Sequence, residues 1–423
     1  MRNKRNYYPP LFGRYNTDAN KSLYVSEYLK LYDITIREAV EELIDVPYLM
    51  SSPSNGESAG WVDDDPQNQH KGDIHFYDYL NNCLNTSNLP IPRFTSEFGF
   101  QSYPSLKTLR EAFHRQKVEL FDQNTEHRQH LVNGNVLLYD QIDRIFGNLG
   151  PLNSTTLSGN TLVHLSQLNQ ALCVSAQIAH YMRHSDKDKL LHDGRGSNSG
   201  VMFWQLNDVW AAPTWSALDV NLRPKMLYYA VKNLFNPIVG TAHWNTTHLV
   251  FNVVNYLDKE VAYDFDLFLY DVSSTRSLYE WTVSDISDPY ISWTTEVFSI
   301  SETSIQQHCA VMENCIVAVE FEVKSEGIRT VDIVRTTFDW SGLMLTPPSL
   351  MIEVVKKKEH SVLIRLQSMK IALWVWLEAD QSGVFSHNFF PMYVPEMFIE
   401  FTPHKMTEDC CKVHVTSLYN HYY

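Results

Sequence analysis

The sequence predicts two architectures in one chain: parallel β/α units as far as Pro237, then antiparallel β-structure to the end. Three observations lead there. Before Pro237, short apolar strands alternate with segments of helical periodicity. After it, strand-like segments rich in Val, Ile, Phe and Tyr succeed one another with no helix of any length between them, the spacing of an antiparallel sandwich. The proline pair Pro347-Pro348 then divides the β-rich stretch, so residues 1–237, 238–346 and 347–423 are read as three domains.

Residues 23–44 are expected to form a helix, because Leu29, Tyr32, Ile36, Val40 and Leu43 recur at three-four spacing between Glu and Lys residues. Residues 46–53 read as a short apolar strand, and a polar loop follows through His70. Residues 72–78 are the second strand and 92–102 the third, which breaks at Gly99. A long insertion carries His127-Arg128-Gln129-His130 and Gly134-Asn135. Residues 160–183 are expected to be helical, with Leu165, Leu168, Leu172, Ala176 and Ala179 on one face. A Gly- and Ser-rich loop leads to a fourth strand over 201–208, and a helix over 224–235 closes at Pro237. The strands expected next are 248–256, 260–271, 276–283, 291–300, 314–323 and 328–338, then 350–356, 361–367, 371–378, 396–401 and 412–417.

Composition narrows the class. A chain of 423 residues with 44% hydrophobic and 13% aromatic content can bury more than one core. A net charge of −15 with no basic block argues against nucleic acid and against an anionic membrane surface. No apolar run reaches the length of a membrane span, and residues 1–10 lack the apolar core of a signal peptide. The six cysteines show no zinc-type spacing, although Cys309 and Cys315 could close a short loop in an oxidising compartment. Asn20, Asn85, Asn153 and Asn245 open glycosylation sequons, a modest pointer to the secretory route.

The chemistry gathers at strand ends. Glu97 stands where the third strand meets its loop, and a carboxylate is costly to bury unless it is paired or used. Period-two alternation points His75 and Tyr77 to one side of the second strand. Trp204 lies on the fourth, with Asn207, Asp208 and Trp210 just beyond. In this order the set resembles the site of retaining glycosidases, and the resemblance implies sugar chemistry with a role for each residue. Glu97 would be the nucleophile of a retaining glycosidase, which needs a second carboxyl about 5–5.5 Å away as acid/base. The Tyr77 hydroxyl would donate to Glu97 and keep it ionised. His75 would bind a sugar hydroxyl or orient the carboxylate. Trp204 would be an aromatic floor under the sugar ring, with Asn207, Asp208 and Trp210 at its rim. The bland readings are packing roles for His75, Tyr77 and Trp204 and a solvated strand-end acid at Glu97.

The ordered set His-x-Tyr, Glu, Trp resembles the last strands of the (β/α)₈ barrel in retaining glycoside hydrolases of clan A. The segment Arg93-Phe94-Thr95-Ser96-Glu97-Phe98-Gly99-Phe100-Gln101-Ser102 is similar to the nucleophile segment of the animal β-mannosidases of glycoside hydrolase family 2. So are Ser51-Ser52-Pro53-Ser54-Asn55-Gly56, Gly72-Asp73-Ile74-His75-Phe76-Tyr77-Asp78-Tyr79, His127-Arg128-Gln129-His130, Phe203-Trp204-Gln205-Leu206-Asn207-Asp208-Val209-Trp210 and Gly383-Val384-Phe385-Ser386-His387-Asn388 in their places. The resemblance runs from about residue 12 to the end. It implies the C-terminal half of a (β/α)₈ barrel followed by two immunoglobulin-like sandwiches. It also implies removal of terminal β-mannose from glycoprotein-derived oligosaccharides in the lysosome, with no cofactor and no metal.

The chain departs from that family in one respect. The family's acid/base Glu sits in an Asn-Glu pair, and no Asn-Glu pair occurs in these 423 residues. The expectation is therefore a C-terminal portion of such an enzyme, without its N-terminal domains and acid/base strand. The alternatives are a non-catalytic carbohydrate-binding remnant, or another family 2 activity such as β-galactosidase or β-glucuronidase.

Overall fold

The computed structural model describes residues 20–56, 65–115, 117–147, 149, 158–186, 188–274, 276–289, 294–336, 340–407 and 410–422. In the first part, β1 (Ile74–Phe76) pairs in parallel with β2 (Thr95–Phe98). Two further segments flank this pair. The Asp73 amide donates to the Ser54 carbonyl at 3.0 Å, which sets residues 46–54 beside β1. On the other side, Thr95 N donates to Gly200 O, Met202 N to Thr95 O and Trp204 N to Phe98 O. The four expected strands thus lie side by side in chain order, but the outer two are not regular strands. Residues 46–53 are irregular, and the 201–208 segment holds only two isolated bridges, Val201 to Thr95 and Asn207 to Leu218. The first segment has a ladder neighbour on one edge alone among the described residues, and the second leaves β2 after Trp204, its residues 205–208 bonding residues 215–218 instead.

The β1–β2 register contains the feature that aims the site. Ile74 pairs with Thr95, but His75 pairs with Glu97, so Ser96 is an extra residue in β2. A bulge of this kind re-aims the side chains beside it. Here it brings Ser96 and Glu97 both towards the Asp73–His75–Tyr77 side of β1.

Helix α1 (Lys21–Leu29) continues through a π-helical segment (Lys30–Ile36) into α2 (Arg37–Glu41). No residue of it is buried. The expected stripe is partly covered: Leu29, Tyr32, Ile36 and Val40 are half-buried, while Leu43 beyond α2 is 87% exposed. The stretch read as an insertion contains α3 (Leu106–Phe113), α4 (Gln123–His127) and α5 (Gly134–Phe146), none of them expected. Ser105 caps α3 and Asp122 caps α4, each accepting backbone N–H groups of the first turn. α6 (Gly159–Arg183) starts at the Ser158 cap and is buried on nearly every face rather than along one stripe. A disulfide from Cys83 to Cys173 ties the loop after β1 to its middle. α7 (Met226–Leu234) completes this part.

An antiparallel sandwich follows. Its strands are β3 (Ile238–Trp244), β4 (His248–Asn255), β5 (Val261–Asp271), β6 (Tyr279–Ser287), β7 (Thr294–Ser301), β8 (Cys315–Val323) and β9 (Ile328–Arg335), with a short α8 (Glu302–Gln306) after β7. The sheets run β3-β4-β7 and β6-β5-β8-β9 around Phe251, Phe265, Leu267, Val317 and Phe321. β3 was not expected, because Gly240 interrupts its apolar run. Tertiary packing demands that glycine: a Cβ there would lie 2.5 Å from the Phe321 ring. Cys309 and Cys315 are joined. The expected strand positions 291–293 and 337–338 lie outside the described residues.

The last part is a second sandwich. β10 (Met351–Lys357), β11 (Val362–Gln367), β12 (Ala372–Ala379), β13 (Gly383–Phe385), β14 (Phe390–Met392), β15 (Glu396–Pro403) and β16 (Val413–Thr416) form sheets β10-β11-β15-β13 and β14-β12-β16, followed by α9 (Tyr419–Tyr422). The three-residue β13 and β14 were too short to read from alternation. This core is continuous with that of the β/α unit. Trp374 packs edge-on against Phe146 of α5, and Trp376 against Tyr229 of α7. The Tyr229 hydroxyl also accepts from the Phe385 amide at 3.2 Å. Asn388 pins β12 by bonding both the N–H and the C=O of Leu377. Among the described residues no helix is long and apolar enough to cross a membrane, and no group of His, Cys, Asp or Glu is arranged to hold a metal ion.

Candidate active site

Glu97 is the third residue of β2 and His75 its neighbour across the ladder, so both side chains project from the same face. Tyr77, two residues after His75, reaches that face as well. Its hydroxyl donates to Glu97 Oε1 at 2.8 Å. The other carboxylate oxygen, Oε2, lies 3.6 Å from His75 Nδ1. Burial pulls the His75 imidazole below its ordinary value, against the opposing pull of Glu97 and then Asp73. The result is a carboxylate with one oxygen tied by a phenol and the other turned to a neutral imidazole. Such a carboxylate can act as a nucleophile through Oε2 while Tyr77 holds its orientation.

Trp204 follows the last backbone bond to β2, from its own N–H to Phe98 O at 2.8 Å, and its side chain is 44% exposed. Its carbonyl passes directly over Gly99, where an added Cβ would lie only 2.3 Å away. The break that Gly99 makes in the apolar strand is therefore the space through which the Trp204 backbone runs. Trp215 closes this corner. Its ring meets Tyr77 edge-on at 6.2 Å, and its indole N–H donates to the Tyr79 hydroxyl at 2.6 Å.

The residues expected at the rim separate. Asn207 is exposed, and its amide donates to the Asp208 carbonyl. Asp208 turns inward. It is 5% exposed and accepts from Thr214 Oγ1 at 2.6 Å, Ser216 Oγ at 2.8 Å and Gln205 Nε2 at 3.4 Å. Burial pushes its carboxyl up, opposed by Lys225 and these hydrogen bonds. Lys225, buried behind it, is pulled down to about 8 by desolvation against the attraction of Asp208 and Asp219. Asp208 is thus the hub that folds the 205–217 loop back on itself and places Trp215; the substrate-binding expectation is corrected to a structural one. Trp210 is half-buried and held by the motif at 127–130. The Arg128 guanidinium lies 5.0 Å over its ring, and His130 meets it edge-on at 5.0 Å.

Three further residues belong to the face and were not read from the sequence: Ser52, Asp73 and Ser96. Both serine hydroxyls donate to Asp73 Oδ2, from Ser52 at 2.5 Å, while the Ser54 amide donates to Oδ1 at 2.8 Å. Ser52 Oγ also lies 2.9 Å from His75 Nε2. The alternation that paired His75 with Tyr77 extends back to Asp73, so that signal was present. A cavity of about 470 Å³ lies elsewhere, between α3, α6, α7 and the last sandwich, and none of Glu97, His75 and Tyr77 lines it.

A parallel β/α unit that presents a tyrosine-held carboxylate at a strand end, joined to antiparallel sandwiches, points to the glycoside hydrolases as the class of protein. Comparison with known proteins narrows the class. Residues 345–421 match the Ig_mannosidase family, an Ig-fold domain. The chain is 29% identical over 428 residues to the β-mannosidase of Capra hircus, covering 94% of this chain and 46% of that protein. To the β-mannosidase of Bos taurus it is 28% identical over 436 residues, covering 99% and 48%. Its fold is similar to the crystal structure of the β-D-mannosidase from Dictyoglomus thermophilum, with a TM-score of 0.71 at 20% identity, over 92% of this chain and 45% of that one. The chain is thus similar in sequence to β-mannosidases, and it spans about half the length of the relatives it matches.

Proposed function

We propose that this chain forms the nucleophile side of a β-mannosidase site, with Glu97 attacking the anomeric carbon of a terminal β-mannose of glycoprotein-derived oligosaccharides. The observation that carries the reading is the 2.8 Å bond from the Tyr77 hydroxyl to Glu97 at the end of a parallel strand, in a relative of β-mannosidases. In this reading the four parallel segments are the C-terminal half of a (β/α)₈ barrel, and 238–346 and 347–423 are immunoglobulin-like domains. The fold likeness supports it, as does the helix at 21–41, whose apolar face is only half-buried among the described residues. The disulfides Cys83–Cys173 and Cys309–Cys315 support an oxidising compartment, in keeping with a lysosomal destination.

The retaining mechanism needs a second carboxyl, as acid for the leaving group and then as base for water. With no Asn-Glu pair in these 423 residues, the isolated chain is expected to lack general acid help worth about 10²–10⁴-fold. The test is a stopped assay with an aryl β-mannoside whose leaving group is strongly acidic. The expected result is a burst of one leaving group per site followed by a stall, abolished by Glu97→Gln. Steady turnover would overturn the missing acid/base. Sugar binding with no burst would support a carbohydrate-binding remnant, and preference for a β-galactoside or β-glucuronide would assign another family 2 activity.

A further inference from the structure

The hydroxyl proton of Ser52 has three candidate acceptors, and it can serve one. Asp73 Oδ2 is at 2.5 Å, His75 Nε2 at 2.9 Å and Ser96 Oγ at 3.2 Å. A carboxylate takes an O–H proton in preference to a neutral imidazole, and 2.5–2.7 Å is the range of charge-assisted O–H···O⁻ bonds. Ser96 donates to the same Asp73 oxygen, so its proton is committed there too. Ser52 Oγ is left as an acceptor, and the hydrogen between it and His75 must come from Nε2.

The opposite side of the ring leads independently to the same assignment. If Nδ1 carried the proton it would donate to Glu97 Oε2, and a bond between N–H and a carboxylate closes to about 2.7–2.9 Å. The separation is 3.6 Å, outside hydrogen-bond range. Two lone pairs face each other across that gap.

We propose that Asp73, acting through Ser52, fixes His75 as the Nε2–H tautomer and turns its bare Nδ1 towards Glu97 as an acceptor. Asp73 and Ser52 are positioning residues. They keep the imidazole from donating to Glu97, so Oε2 keeps its full nucleophilic charge. On the glycosidase reading above, Nδ1 and Oε2 also form an acceptor pair for one hydroxyl of a bound sugar. With Tyr77 as a donor on Oε1, the two oxygens of Glu97 then have separate tasks: one is held, the other reacts.

The tautomer is read directly by long-range ¹H–¹⁵N NMR of the full 423-residue chain labelled at histidine, at a pH where His75 is neutral, with His75→Gln assigning the resonances. The expected pattern is a pyrrole-type Nε2 and a pyridine-type Nδ1. Ser52→Ala should lose this preference and Ser52→Thr, which keeps the hydroxyl, should restore it. Asp73→Asn should lose it as well; Ser52 is exposed, so its variants test the idea even if Asp73→Asn does not fold. A protonated Nδ1 in the parent chain, or an unchanged tautomer in Ser52→Ala, overturns the proposal. The readout needs no turnover: if no variant gives a burst yet the tautomer follows Ser52, the enzymatic reading fails and this inference stands.

Discussion

Replacing Gly99 with alanine tests whether the strand break beside Glu97 exists to let the Trp204 backbone pass. The added Cβ would sit 2.3 Å from the Trp204 carbonyl oxygen and 3.2 Å from Trp215 Cδ1, where ordinary contact begins near 3.4 Å. The carbonyl must therefore retreat by about 1 Å, and it belongs to the backbone whose N–H bonds Phe98 O. Overpacking of this kind costs about 1–3 kcal/mol. A 1 Å displacement next to a reacting group costs on the order of 10²-fold in rate. Hydrogen exchange of the peptide spanning β2 reads the first effect locally and should quicken roughly 5- to 150-fold. The burst rate reads the second. Gly200→Ala is the control. Its Cβ would also come within 2.5 Å of a neighbour, but that neighbour is the half-buried Phe94 ring, which can turn aside. Unchanged exchange and burst in Gly99→Ala, or a larger loss in Gly200→Ala than in Gly99→Ala, would refute the reasoning.

Tyr77→Phe removes one donor from Glu97, and hydrogen bonds to charged groups are worth about 1.5–3 kcal/mol, so the burst should slow roughly 10- to 100-fold with the amplitude kept. Lys225, held near 8 when folded against an ordinary 10.5, binds its proton more weakly in the native state than in the unfolded one. Stability should therefore rise with pH between about 8 and 10.5, on the order of 3 kcal/mol, and urea midpoints should lose that rise in Lys225→Met. The raised Asp208 carboxyl acts in the acid range and in the opposite sense, with stability falling as pH rises, so the two terms separate. Removing the Cys83–Cys173 link by a double serine substitution opens a 90-residue loop and should lower stability by about 2–4 kcal/mol, with exchange of α6 amides as the measure.

Much of the site is legible in local sequence. The His-x-Tyr alternation puts two side chains on one face whatever surrounds them, because the pleat has a period of two. The apolar strand ending at Glu97-Phe98-Gly99 marks a strand end for the same reason: a charge and a glycine rarely sit inside a buried ladder. The two-part architecture follows from the change in periodicity at Pro237.

The remainder depends on contacts between segments distant in the chain. The bulge at Ser96 is a property of the pairing between β1 and β2, and register is set by two strands rather than one. The Asp73–Ser52–His75 relay needs three residues from two segments, so no spacing rule reveals it even though Asp73 keeps the alternation. Asp208 looked like a rim carboxylate because it follows a strand end, and it is buried because the 205–217 loop closes over it with Thr214 and Ser216 as partners. The helix at 21–41 shows the converse. Its three-four pattern states which face is apolar, but a pattern does not supply a partner, and among the described residues that face is only half-buried. Local periodicity sets the direction of a side chain. Whether that direction ends in water, in a neighbour or against a substrate is settled only when the other segments arrive, since burial and hydrogen bonding are relations between parts of the chain.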